Sequence, residues 1–164
     1  MEDKVEIKIF VKRATCMAIL LYLIFGVFFG VSAMQSNMMV PRISAGDLML
    51  YYRLEKKLLS GDIVVFEKDN RKYTGRIVAV GNESVDITED DELKINDSLV
   101  IEQYIYYPTY RFDGGVDFPI VLKENQFFVL GDYREVARDS RYFGPINRAE
   151  IKGKVISVIR RSGL

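Results

Sequence analysis

Histidine is absent from this 164-residue chain and cysteine occurs once, at Cys16. Those two absences exclude Ser-His-Asp and Cys-His catalysis, histidine-ligated zinc, and any disulfide within the chain. A surplus of positive charge is missing as well. Lys plus Arg and Asp plus Glu number 23 each, so nothing global favours nucleic acid as a partner. No internal repeat or low-complexity tract is evident, and no residue pattern asks for a metal or cofactor.

With 49% apolar and 28% charged residues, the composition fits one globular domain plus a further segment. That segment is an uncharged stretch of 20 residues from Thr15 to Met34. As a helix it would cover about 30 Å, one bilayer core. It reads as a membrane anchor. The alternative is a cleavable secretory signal, since Ser32-Ala33 supplies small residues after the apolar run. Lys4, Lys8, Lys12 and Arg13 precede the stretch, whereas only Arg42 and Arg53 follow it closely. The positive-inside bias then divides the chain into a cytoplasmic N-terminus over 1–14, a transmembrane helix over 15–34 and an extracellular domain over 35–164. Cys16, at the cytoplasmic end, reads as a lipid-facing or packing residue rather than a palmitoylated or reactive thiol.

Beyond Met34 the texture changes to short apolar segments broken by Gly, Asp and Asn, which predicts a mainly β domain. Strands are expected over Leu48–Tyr52, Asp62–Phe66, Tyr73–Val80, Ser84–Thr88, Gln126–Leu130 and Lys154–Ile159. Gly46-Asp47 and Gly61-Asp62 supply turn chemistry ahead of two of them, with Ser44 expected to cap the first turn. The acidic run Glu89–Glu92 reads as a hairpin tip, and Ile101–Val121, with Tyr104, Tyr106, Tyr107 and Tyr110, as a long loop.

Four segments carry a more specific signal. Met38-Met39-Val40-Pro41-Arg42-Ile43-Ser44-Ala45-Gly46-Asp47 resembles the S-M-x-P-T-L-x-x-G-D box that follows the anchor of type I signal peptidases, membrane-bound proteases that use a Ser-Lys dyad. Gly61-Asp62-Ile63-Val64-Val65-Phe66 agrees with that family's G-D-I-V-V-F at every position. Tyr73-Thr74-Gly75-Arg76-Ile77-Val78 is similar to its Y-V-K-R-V-I lysine box. Gly131 to Gly144 matches G-D-N-R-x-x-S-x-D-S-R-x-F-G, with Asp139-Ser140-Arg141-x-Phe143-Gly144 intact.

The resemblance implies a signal-peptidase-like twisted β-sheet or barrel behind one transmembrane helix. It also implies where a dyad would sit, and those positions are degenerate. Met38 occupies the nucleophile position, Gly75 the general-base position and Ala137 that of the serine that orients the lysine. A thioether and a missing side chain supply neither nucleophile nor base. Losing one member of such a unit costs on the order of 10⁶ in turnover. Ser36 resembles the family's side-chain oxyanion donor, and it is the one hydroxyl that a rescue mechanism would recruit as nucleophile. Lys72 is an odd number of residues from Gly75, so strand alternation predicts that it projects away from the site. Arg76, Asp139 and Arg141 are similar to the family's charge cluster and are expected to form one structural ion-pair network. Met38, Met39, Val40 and Pro41, with Met49, are expected to line an apolar groove for an extended peptide.

Function follows as an expectation: a non-catalytic binding or assembly factor at the outer face of a bacterial membrane, without nucleic acid or cofactor. Short signal-peptidase-like proteins lacking a dyad resemble accessory factors or chaperones of sortase-built pili in Gram-positive bacteria, which implies pilin subunits or a sortase as partners. The alternatives are an active, unorthodox signal peptidase, and a partner or regulator of the secretion machinery.

Overall fold

A computed structural model of the chain describes residues 2–161. The N-terminal helix α1 (Glu2–Tyr22) continues as a π-helical stretch over Leu23–Phe28. Lys4–Phe28 is long and apolar enough to cross a membrane. The expected helix over 15–34 is corrected at its outer end, where Phe29–Ala33 forms strand β1 instead. The physical reason lies in the partner strand β2 (Leu48–Tyr52), which pairs with β1 antiparallel, Phe29 opposite Tyr52 through Ala33 opposite Leu48. An apolar run fit for lipid is also fit for a strand, and five paired residues decide for the strand. Gly30 fits this role because the buried Tyr51 ring lies directly over it. A Cβ on Gly30 would come within 2.2 Å of the ring Cζ.

The remaining strands are β3 (Ile63–Lys68), β4 (Arg71–Ala79), β5 (Ser84–Ile87), β6 (Leu93–Ile95), β7 (Ser98–Leu99), β8 (Ile120–Val121), β9 (Gln126–Leu130), β10 (Ile146–Asn147) and β11 (Ile151–Ile159). One sheet has the order β1-β2-β11-β3-β4-β9-β10, and a smaller one the order β7-β6-β5-β8. The fold is mainly antiparallel β, as expected from the sequence. Beyond the N-terminal helix, the described helix is short: a single turn, α2 (Ser140–Phe143), and a 3₁₀ turn over Arg148–Glu150.

Period-two alternation builds the core from both faces of β9. Phe127 and Val129 join Val64, Phe66 and Ile77 on one face. Phe128 and Leu130 join Val85, Ile87 and Leu93 between the sheets. A third cluster, Met34, Met38, Met39, Ile43, Met49 and Ala137, sits beside β1 and β2.

The two Gly-Asp turns use the same device. Gly46 and Gly61 both have φ +93°, and the following Asp donates its backbone N–H to the carbonyl of the residue three earlier, Ser44 or Leu59, at 3.1 Å. The Asp carboxylate accepts that residue's N–H in return, at 2.9 Å for Ser44 and 3.0 Å for Leu59. The capping oxygen is therefore that of Asp47, not the hydroxyl expected from Ser44. Backbone N–H groups of Ser44 and then Arg161 hold the Asp47 carboxyl below its ordinary value.

One prediction arises from β1. A chain beginning at Gln35, after the Thr15–Met34 stretch, lacks β1 and uncovers Tyr51. It is expected to be less stable in urea than one beginning at Phe29, by about 4 kcal/mol for exposing Tyr51 and losing the buried Met34. Equal midpoints would show that β1 only rests on the sheet.

Candidate functional site

The segment between β1 and β2 carries the first motif and is pinned locally. Ile43 N–H donates to Met39 O at 3.0 Å, and Ala45 N–H donates to the Asn37 side chain at 3.1 Å. This tight turn drives Met39 and Ile43 into the core, where they are 0% and 1% exposed. From the other side, Tyr133 N–H donates to Met38 O at 3.0 Å, so the last motif closes on the first. Gly131 is required at that contact. A Cβ there would lie 2.3 Å from Ala137 Cβ and 2.8 Å from Met38 O.

Met38 and Ala137 thus meet in the third apolar cluster, with Tyr73 packed against it. Gly75 lies on β4 opposite Val64, with its missing side chain directed at β9. A Cβ on Gly75 would be 2.6 Å from Val129 Cγ1 and 3.1 Å from Leu130 O. The space that a base at this position would need is filled.

Beside this cluster opens a cleft of about 670 Å³, whose walls include Ser32–Ser36, Met38, Asn70–Thr74 and Arg138. Sheet pairing explains the opening. β4 pairs with β3 from Arg71 to Arg76, but with β9 only from Arg76 onward. After Leu130 the chain leaves the sheet, because Gly131 N–H donates to the buried Asp139 carboxylate at 3.0 Å. Among the described residues, Arg71–Gly75 therefore has one strand edge without a partner.

Several expected placements are corrected. Met39 and Met49 are core residues, Pro41 is exposed elsewhere, and neither they nor Val40 lines the cleft; of the expected groove residues only Met38 does. Ser36 is exposed on the cleft wall. Lys72 lines the same cleft rather than projecting away from it. Side chains still alternate there, but the unpartnered, hairpin end of β4 borders the cleft on both faces, so Lys72 reaches it from the face opposite Gly75. Sequence alone gives no sign of Arg71, Tyr73, Thr74 or Arg138 as cleft residues, since the missing β9 pairing is a tertiary fact.

The expected single charge network is also corrected: it splits. Arg76 donates to Asp132 from Nε at 2.8 Å and from an η-nitrogen at 2.6 Å, and it lines a separate cavity of about 220 Å³. Asp139 and Arg141 pair with each other at 2.9 Å and are 2% and 0% exposed. A third pair, absent from the sequence-based expectation, joins the buried Arg134 to Glu102 at 2.6 Å. Asp132 and Arg134 stand inside the last motif, but Glu102, in a loop 32 residues upstream, carries no sequence signal.

Chemically, the site offers one exposed hydroxyl, Ser36, and one exposed amine, Lys72. Both stand in solvent rather than in an enclosed pocket. Among the described residues no group of His, Cys, Asp and Glu is placed to hold a metal ion.

Comparisons with known proteins agree with this geometry. A family model described as signal peptidase, peptidase S26, matches residues 7–159. The chain is 33% identical over 113 residues to signal peptidase IB of Staphylococcus aureus (strain N315), covering 60% of this chain and 59% of that relative. It therefore spans under two thirds of that relative's length. It is 26% identical over 131 residues to a protein named inactive signal peptidase IA from S. aureus (strain MRSA252), covering 73% of this chain and 72% of the relative. Among solved structures, a signal peptidase I from Enterococcus faecalis V583 aligns with TM-score 0.50 at 28% identity, covering 62% of this chain and 98% of that one.

Proposed function

The chain belongs to the S26 signal peptidase family, and we propose that it is a non-cleaving member that binds an extended segment of another protein in the cleft beside Met38. The observation that carries this reading is the joint state of the three degenerate positions. Met38 and Ala137 are packed together in the core, and Val129 fills the space in front of Gly75. Hydrolysis lacks its parts. The free edge of β4 along the cleft supports retained binding, because an extended peptide can satisfy unpaired backbone groups there by adding a strand.

The apolar helix anchors the protein, with Lys4, Lys8, Lys12 and Arg13 on the cytoplasmic side and the β domain outside. The helical residues from Thr15 to Phe28 cover about 21 Å, so the stems of Lys12 and Arg13 extend the span by snorkelling. By resemblance, the bound partner is a pilin subunit or a sortase, and the protein assists pilus assembly. A second reading, a peptidase using Ser36, draws on one observation: Ser36 and Lys72 share the cleft.

In a host that builds pili with a sortase, deleting the chain is expected to abolish pilin polymers, with parent and Ser36→Ala restoring them equally. Unchanged polymers after deletion would remove the pilus role and turn attention to a partner in secretion. Failure of Ser36→Ala alone to restore them would favour the peptidase.

A further inference from the structure

We infer that the cleft selects an extended segment bearing carboxylate side chains; this deepens the peptide-binding reading and rests on it. The cleft walls carry Arg71, Lys72 and Arg138 and no Asp or Glu. Among the described residues none of these three cations has a carboxylate within ion-pair distance, whereas Arg76, Arg134 and Arg141 are all paired.

Three of the acids near them in chain or register face other groups. Glu67, opposite Lys72 in register, lies 3.5 Å from Lys152. Glu150 is 2.7 Å from Lys68, the residue opposite Arg71. Glu135 faces Tyr133, whose hydroxyl it pushes above its ordinary value. Arg138 is held without being neutralised, its guanidinium 4.2 Å from the centroid of the Tyr142 ring and 5.4 Å from that of Phe143.

Position along the strand makes the charges usable. Arg71 and Lys72 are consecutive on the unpartnered stretch of β4, so they project to opposite faces. A strand added to this edge meets a cation on whichever face its acidic residue projects. Met38 and Tyr73 supply the apolar floor between them. The occupant that complements this surface has small or apolar residues in the cleft and acidic residues beside them.

The test uses the full-length chain in dodecyl maltoside micelles and two fluorescent probes, an extended Ala/Val peptide carrying glutamates and its glutamine counterpart. The glutamate peptide is expected to bind about tenfold more tightly, as partly desolvated charge pairs allow. The gap is expected to shrink between about 50 mM and about 500 mM salt. It should vanish in the Arg71→Gln, Lys72→Gln, Arg138→Gln variant, whose altered residues are on the cleft wall and whose circular dichroism spectrum should match the parent. Equal binding of both peptides by the parent would overturn the charge selection and leave the peptide-binding reading standing. Binding of neither would overturn both. Displacement of the glutamate peptide by soluble dihexanoyl phosphatidylglycerol, but not by the phosphatidylcholine analogue, would assign the cations to lipid headgroups and overturn the inference.

Discussion

Arg141→Ala is expected to lower stability by about 3–5 kcal/mol, a large share of what a domain of this size holds in reserve. The guanidinium is fully buried and donates to both oxygens of Asp139 at 2.9 Å. It also donates to Arg134 O at 2.7 Å and to Tyr110 O at 3.3 Å, and it stands 4.5 Å from the centre of the Phe112 ring. Removing it strands the Asp139 carboxylate, which then keeps only backbone N–H groups, those of Gly131 and of residue 141 itself. Those two bonds do not neutralise a charge shut away from water. Arg141→Lys is expected to fall short of rescue, because an ammonium cannot reproduce the planar fork. Urea unfolding of both variants checks this. A midpoint unchanged in Arg141→Ala would mean that the last motif is not what closes the domain around Gly131.

Rebuilding the dyad is expected to fail at Gly75. In the Met38→Ser, Gly75→Lys, Ala137→Ser variant, the Cβ introduced on β4 would stand 2.6 Å from Val129 Cγ1, inside any tolerable contact. Val129 is 0% exposed and β-branched, so it cannot turn aside cheaply. Overpacking of this kind costs about 1–3 kcal/mol. The introduced lysine would then be displaced from the serine it must deprotonate, and small misplacements cost about 100-fold in rate. The variant is therefore expected to melt below the parent and to show no turnover. Adding Val129→Ala removes the obstructing methyl and leaves Leu130 O, 3.1 Å from the introduced Cβ, as the remaining close contact. Cleavage by the variant without it, at parental stability, would show that the site has kept its shape.

How much of this is readable in the sequence depends on where the determining contact lies. β2 and β9 match their expected limits because alternation and flanking turn residues are local. β1 is concealed because Phe29–Ala33 has the same apolar texture as the helix before it, and only pairing with β2 separates them. β7, β8 and β10 have two residues each, too few for any periodic signal. At the site, position in ordered motifs finds Met38, Gly75 and Ala137, but not how they pack. The split of the charge network is hidden for the same reason: Arg76 reaches Asp132 across 56 residues of chain. Strand alternation alone does not reveal Lys72 as a cleft residue, because β9 stops short of it and the cleft borders both faces of β4 there.

The most direct measurement is hydrolysis of a fluorogenic signal-peptide substrate by the full-length chain in detergent micelles, with Ser36→Ala and Lys72→Ala alongside. The account predicts no release of fluorophore above the buffer rate from any of the three, because Met38 and Gly75 supply neither nucleophile nor base. Hydrolysis by the parent that either substitution abolishes would contradict it, and would make the cleft the active site of a working peptidase.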